Sequence, residues 1–206
     1  MASGAEGVEL LQENIALGKP MDQYSPSSTF ASVRLLPVLS MLFDLAVTAL
    51  DVKDAFLLVN QKEYMLAIIP RWIQNLLQDG ATHWLLKKCL PVQRYAALRW
   101  NERFSSLCAA VGFEPFQVCP TTIRLIDDTR RIFLSVHVDD ILLICKPGDV
   151  KWFTETAGKS VTMKVDGPRS QCEGSVLYYL KKISLFQEGV LIQPNGAYIP
   201  KLISPC

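Results

Sequence analysis

The stretch TTIRLIDDTRRIFLSVHVDDILLICK, Thr121 to Lys146, sets three β-rich apolar runs around two acidic pairs, Asp127-Asp128 and Asp139-Asp140. Adjacent charges inside a run that would otherwise be core are costly unless they lie at a turn or hold something cationic. The pattern predicts a meander: strand, turn, strand, turn, strand. Asp127-Asp128 reads as a solvated turn. Asp139-Asp140 has two readings of about equal weight, a hairpin turn or a pair that binds a cation.

Upstream, RYAALRWNERFSSLCAAVGF places Ala97, Trp100, Phe104, Leu107 and Val111 on one helical face, with Gly112 as the stop. HWLLKKCL, from His83, and EYMLAIIP, Glu63 to Pro70, read as short strands. AVTALDV reads as a buried strand ending at Asp51, and Val33, Leu36, Leu39 and Phe43 predict a helix before it. Ser28 or Thr29 can cap that helix, and Pro37 should kink it or mark its start. Downstream, a short helix is expected from Asp149 to Ala157, a strand at VTMKV, and a hairpin turning near Glu188-Gly189. Helices mixed with antiparallel strands define an α+β fold, with helices packed on one sheet face. Trp84 and Trp100 are expected in the core.

The chain has 206 residues, enough for one large domain or two small lobes. Half of them are apolar and a fifth are charged, which argues against wholesale disorder. A net charge of +1 gives no general bias toward acidic partners. The six cysteines form no C-x-x-C pair and His83 and His137 lie far apart, so a structural zinc site is not expected. Reduced, mostly buried thiols of an intracellular protein are. MASGAEGVELL lacks the pattern of a secretory signal. LLPVLSMLFDLAVTAL, from Leu35, is short for a membrane span and contains Pro37 and Asp44, so it reads as a buried helix running into a strand.

The chemistry lies in the carboxylates. If the strand ending at Asp51 neighbours the one carrying Asp139 and Asp140, three carboxylates meet at one point. Such a cluster holds hard divalent cations through oxygen. Two metals roughly 3.5–4 Å apart suit in-line phosphoryl transfer. Taken singly, Asp51 is no more than a polar strand end.

Several segments resemble one family. LDVKDAFL, Leu50 to Leu57, is similar to the first catalytic motif of reverse transcriptases, an Asp followed five residues on by an aromatic. VHVDDILL, Val136 to Leu143, resembles their aromatic-x-Asp-Asp hairpin. KKCLPVQRYAALRWNERF, from Lys87, resembles the stretch that copia-type retrotransposon enzymes place between the two. YLKKI, from Tyr179, resembles their primer-contacting strand, and YSPSSTFASVRLLPVL, from Tyr24, the segment ahead of the first motif.

The resemblance implies an RNA-directed DNA polymerase that adds deoxynucleotides to a primer 3′-hydroxyl on an RNA or DNA template. It implies a reverse-transcriptase palm over 24–206, with partial fingers and the start of a thumb, after a divergent leader, 1–23. Asp51, Asp139 and Asp140 match the catalytic metal ligands for Mg2+ or Mn2+, with the Val52 backbone beside them. Phe56 matches the aromatic that excludes a 2′-hydroxyl sterically, and Gln93 the glutamine that touches the incoming nucleotide. Lys87, Lys88, Arg94, Arg99 and Arg103 are expected to meet template or primer phosphates, and His137 the primer. Each also has a plain structural role open to it: a core aromatic for Phe56, a solvated helix face for the cations.

The sequence departs from the family in places. His137 stands where tyrosine is usual and Val92 where glycine is. The basic fingers segment is not evident, and ribonuclease H, integrase and protease regions are not recognised. A catalytically inactive, truncated remnant with a palm-like fold is therefore the alternative, and another two-metal phosphotransferase, a nucleotidyl cyclase or nuclease, a third. The remaining polyprotein parts are expected partners, membranes are not, and the expected location is the cytoplasm or nucleus.

Overall fold

The computed structural model describes residues 28–77, 79–91, 93, 95–127, 129–170, 175–186 and 189–193. They fall into two compact units, one built from residues 56–100 and the other from 28–55 and 101–193. The expected leader 1–23 and the site candidate Arg94 lie outside the described residues, as do Val92, Asp128 and Glu188.

The larger unit contains a six-stranded antiparallel sheet in the order β4-β5-β6-β7-β1-β8. Its strands are β1 (Ala46–Val52), β4 (Glu114–Phe116), β5 (Cys119–Ile126), β6 (Arg131–His137), β7 (Asp140–Cys145) and β8 (Met163–Arg169). The expected meander is β5, β6 and β7. Asp127 makes the first turn: its Oδ1 accepts hydrogen bonds from Thr129 N, Thr129 Oγ1 and Arg130 N at 2.7, 2.8 and 2.6 Å. These bonds hold its carboxyl below the ordinary range.

Helix α1 (Phe30–Leu42) is capped by Thr29, whose Oγ1 accepts the Ser32 N–H at 3.2 Å. It starts well before Pro37 and runs through it. Val33 and Leu36 of α1 pack on Val47, Ala49, Phe133, Leu142 and Ile144. Leu177, Tyr179 and Ile183 join this core from a three-stranded sheet, β9 (Ser175–Tyr179), β10 (Lys181–Phe186) and β11 (Gly189–Gln193). A single hairpin was expected in this region; a further tight turn at Leu180, with φ 54, makes it three strands.

The opposite face of the sheet is equally buried, through Leu50, Ile132, Leu134, Val136, Ile141 and Leu143. Strands covered on both faces read as continuous apolar runs, which is why FLSV and ILLIC show no alternation. One helical layer on one face is thus not the whole cover: α1 and the three-stranded sheet form a layer of their own. Helix α4 (Pro147–Gly158) lies against β7 and β8, and its Phe153 meets Phe113 edge-on, ring centroids 5.8 Å apart.

In the smaller unit, β2 (Leu66–Ile68) and β3 (His83–Leu85) pair antiparallel, and α2 (Arg71–Gln74) follows β2. Trp84, expected in the core, sits across from Ala67 and is 45 % exposed. A two-stranded ribbon cannot cover both of its faces. Helix α3 (Ala96–Ala110) carries the expected amphipathic pattern, but its buried stripe is Ala96, Trp100, Phe104 and Cys108 rather than the row ending at Val111. Gly112, at φ 92, stops it: Gly112 N and Phe113 N donate to the carbonyls of Ala109 and Cys108, both at 3.0 Å.

Two predictions arise in the larger unit. Thr48, fully buried in β1, has an Oγ1 with no hydrogen-bond partner among the described residues. Thr48→Val should stabilise the fold by about 1 kcal/mol, read as a higher urea midpoint; a lower midpoint would mean that the hydroxyl is satisfied. The four described cysteines are free, and Cys89, Cys108 and Cys145 are buried. Burial pushes the thiols of Cys108 and Cys145 up to about 12. At Cys119 burial also raises the pKa, but the hydroxyls of Thr121, Thr122, Thr29 and Ser32 outweigh it and hold the thiol at about 7. Thr122 Oγ1 donates to its sulfur at 3.3 Å. Of the described cysteines, Cys119 should react first with N-ethylmaleimide, at a rate rising through about pH 7, as peptide mapping would show. Faster labelling of Cys108 or Cys145 would contradict this.

Candidate functional site

Strand register brings the carboxylates together. Antiparallel β1 and β7 pair Asp51 with Asp140, and β6 and β7 pair His137 with Asp140. The hairpin loop is therefore Val138-Asp139, one residue earlier than the Asp139-Asp140 turn read from the sequence. Asp140 belongs to the ladder because it has a strand partner on each side. Val52 N donates to the Asp139 carbonyl at 2.9 Å, tying the end of β1 to the tip of the hairpin. Val52 thus faces this tip through its backbone, with its side chain buried.

Val138 sits at φ 57. A β-branched residue there is strained, and such strain collects at functional sites. The hairpin is braced from beneath. His137 Nδ1 lies 3.1 Å from Ser28 Oγ, and buried Tyr179 donates from its hydroxyl to the Ser135 carbonyl at 3.1 Å. Burial pushes the Tyr179 phenol up to about 12. Nothing in the sequence marked Ser135; Ser28 was considered only as a helix cap, a role Thr29 takes, and Tyr179 was noted only within YLKKI. Lys164 was also missed: on β8 it is the register partner of Asp51, so the edge of the cluster carries one cation.

Asp51 is exposed, and Asp139 and Asp140 are half-buried. Desolvation raises the Asp140 pKa above its ordinary value of 3.8, the charges of Asp139 and Asp51 raise it further, and His137 opposes them. This mutual repulsion is what a divalent cation relieves, and an all-carboxylate donor set suits a hard cation. Among the described residues no group of three acidic, histidine or cysteine side chains is arranged to hold a metal.

The remaining candidates scatter over both units. Phe56 lies in a 3-10 turn, Ala55–Leu58, half-buried. Gln93 uses its amide locally: Oε1 accepts Leu90 N at 2.8 Å and Nε2 points at Met65 Sδ, 2.9 Å away. Lys87 and Lys88 are exposed, and Lys88 Nζ donates to Asn60 Oδ1 at 2.7 Å. Arg99 pairs with Glu63 at 3.2 Å, while Arg103 is exposed on α3. Among the described residues no helix is long and apolar enough to cross a membrane.

An antiparallel sheet with an Asp-bearing strand beside an Asp-Asp hairpin is the arrangement expected of a template-directed polymerase. The family model for reverse transcriptase (RNA-dependent DNA polymerase) matches residues 13–177, and the chain belongs to that family. The matched model is that of the copia-type enzymes, the group its motifs resemble. No curated protein matches the chain. Membership in the family implies binding of template and primer.

Proposed function

We propose that the chain is the RNA-directed DNA polymerase domain of a copia-type retrotransposon. In this assignment 24–206 form a palm with partial fingers and the start of a thumb, preceded by a leader, 1–23. The register pairing of Asp51 with Asp140, with Asp139 at the adjoining tip, is the observation that carries it. Asp51, Asp139 and Asp140, with the Val52 backbone, would hold Mg2+ or Mn2+. When bound, the cations lower the pKa of the primer 3′-hydroxyl and neutralise charge on the leaving pyrophosphate.

The chain's own residues do the rest. The three carboxylates set where the triphosphate can sit, since they repel it unless cations intervene. The strained hairpin keeps Asp139 at the tip, and Ser28, Ser135 and Tyr179 fix the strand behind it. Lys164 offers a cation beside Asp51. Phe56 would exclude a ribose 2′-hydroxyl by bulk and Gln93 would contact the nucleotide, after giving up its bond to Leu90 N. Lys87, Lys88, Arg94, Arg99 and Arg103 would meet phosphates, and His137 the primer end.

Primer extension on poly(rA)/oligo(dT) with Mg2+ or Mn2+, beside the Asp139→Asn, Asp140→Asn double variant, tests this. Extension that the double variant loses supports the assignment. A folded wild type that extends nothing would leave a palm-like remnant.

A further inference from the structure

The sheet has a second charged end, and nothing in the polymerase chemistry uses it. β6 begins at Arg131, and β7 ends at Cys145, followed by Lys146. This is the opposite end of the strands that carry Asp139 and Asp140. Seven residues of β6 separate the two ends, a distance of roughly 20 Å at strand rise. Here Arg130, Arg131 and Lys146 line a cavity of about 270 Å³, together with Phe43, Asp127 and Thr129.

The acids near this cavity are already engaged. Asp127 Oδ1 takes three hydrogen bonds from its own turn. Asp149 forms an ion pair with Arg130, its Oδ1 3.5 Å from Arg130 Nε, although that buried Nε makes no hydrogen bond among the described residues. Both guanidinium groups sit over aromatic rings: the Arg130 Cζ lies 4.5 Å from the Trp152 ring centroid and that of Arg131 4.5 Å from the Phe43 centroid. Each ring holds its guanidinium in place; apart from the Arg130 Nη1 that donates to Thr129 Oγ1 at 3.3 Å, the N–H groups are left to bind, and a guanidinium N–H rim matches the oxygens of a phosphate. Lys146 has no ion-pair partner among the described residues. Three cations converge, their rotamers partly fixed, on a space large enough for a phosphate group.

We propose that Arg130, Arg131 and Lys146 form a backbone-phosphate site for nucleic acid, remote from the carboxylate cluster. This rests on the chain's binding of nucleic acid, not on its metal chemistry. The site would grip a strand without reading its sequence, because phosphates carry no base information.

The test is anisotropy of a fluorescein-labelled single-stranded oligonucleotide bound to the full chain, titrated across salt concentrations. Wild type is compared with Arg131→Gln, Lys146→Gln and with Lys159→Gln, an exposed lysine outside the cavity. Each phosphate contact on a single strand contributes about 0.7 to the salt slope. The double variant should lose about 1.4 of slope and bind several-fold more weakly at moderate salt, while Lys159→Gln matches wild type. An unchanged slope in the folded double variant overturns the proposal. So does calorimetric binding of inorganic phosphate, lost in that variant, with no change in the oligonucleotide slope; the site would then serve a free anion. Arg131→Lys, Lys146→Arg, which keeps charge, should restore the slope. Failure of the polymerase assignment shows separately, as a folded wild type that extends no primer while Arg131→Gln, Lys146→Gln still lowers the oligonucleotide slope.

Discussion

Primer extension should fall by on the order of 10³-fold in the Asp139→Asn, Asp140→Asn double variant, while the same protein becomes harder to melt. The two effects share a cause. Asp140 is half-buried beside Asp139 and across the ladder from Asp51, so its charged form is unfavourable in the folded chain. The folded pKa therefore lies above the ordinary 3.8. Its sign fixes the pH dependence. As pH rises past the ordinary value, the unfolded chain loses its proton first. Stability then declines until the raised folded value is passed, and stays lower above it. Asparagine keeps the shape and removes the charge, so the variant escapes that decline. A gain within the range of about 0.5–2 kcal/mol is expected at neutral pH, some 2–4 °C per kcal/mol. It should shrink toward acid, where wild type is already protonated. Mg2+ should raise the Tm of wild type and not of the variant. Melting both proteins at acid and neutral pH, with and without Mg2+, checks each part. A variant less stable than wild type at neutral pH would mean that the acids hold the fold together, and a Tm indifferent to Mg2+ would argue against the metal role.

Gly167→Ala should destabilise the chain by about 2–4 kcal/mol. β8 meets β1 through an irregularity: Asp166 pairs with Ala49 and Arg169 with Val47, leaving two residues of β8 opposite Thr48. Gly167 sits in that bulge at φ 126, a conformation side chains resist. A Cβ there would lie 3.1 Å from both Thr48 Cα and the Val47 carbonyl oxygen. Those are backbone atoms of a central strand with both faces covered, so neither can yield cheaply. The added methyl must push β8 away from β1, and with it Lys164 away from Asp51. Gly158→Ala is the contrast, since a Cβ there meets nothing within 4 Å and φ is ordinary; it should be neutral or slightly stabilising. Urea midpoints of both variants decide the matter. A Gly167→Ala midpoint equal to wild type would show that the bulge has room to relax.

Much of this protein was legible without its structure. The meander, the helix cap at Thr29, the stop at Gly112 and the strand bearing Asp51 follow from local periodicity and turn chemistry, which act between neighbours in the chain. The aspartates stood out because charges inside apolar runs need a reason. Errors clustered where burial depends on distant segments. The buried stripe of α3 runs through Ala96 and Cys108, which hydropathy alone does not favour over Val111. Trp84 is exposed because its ribbon has only two strands. The turn at Leu180 carries no glycine to announce it. Above all, the pairing of Asp51 with Asp140, the placing of Lys164 beside it and the bracing of the hairpin by Tyr179 are register facts between strands far apart in sequence. Sequence alone determined which side chains could do chemistry and the elements that carry them. Only tertiary structure decided which of them meet, because strand order and register are set by packing both sheet faces at once.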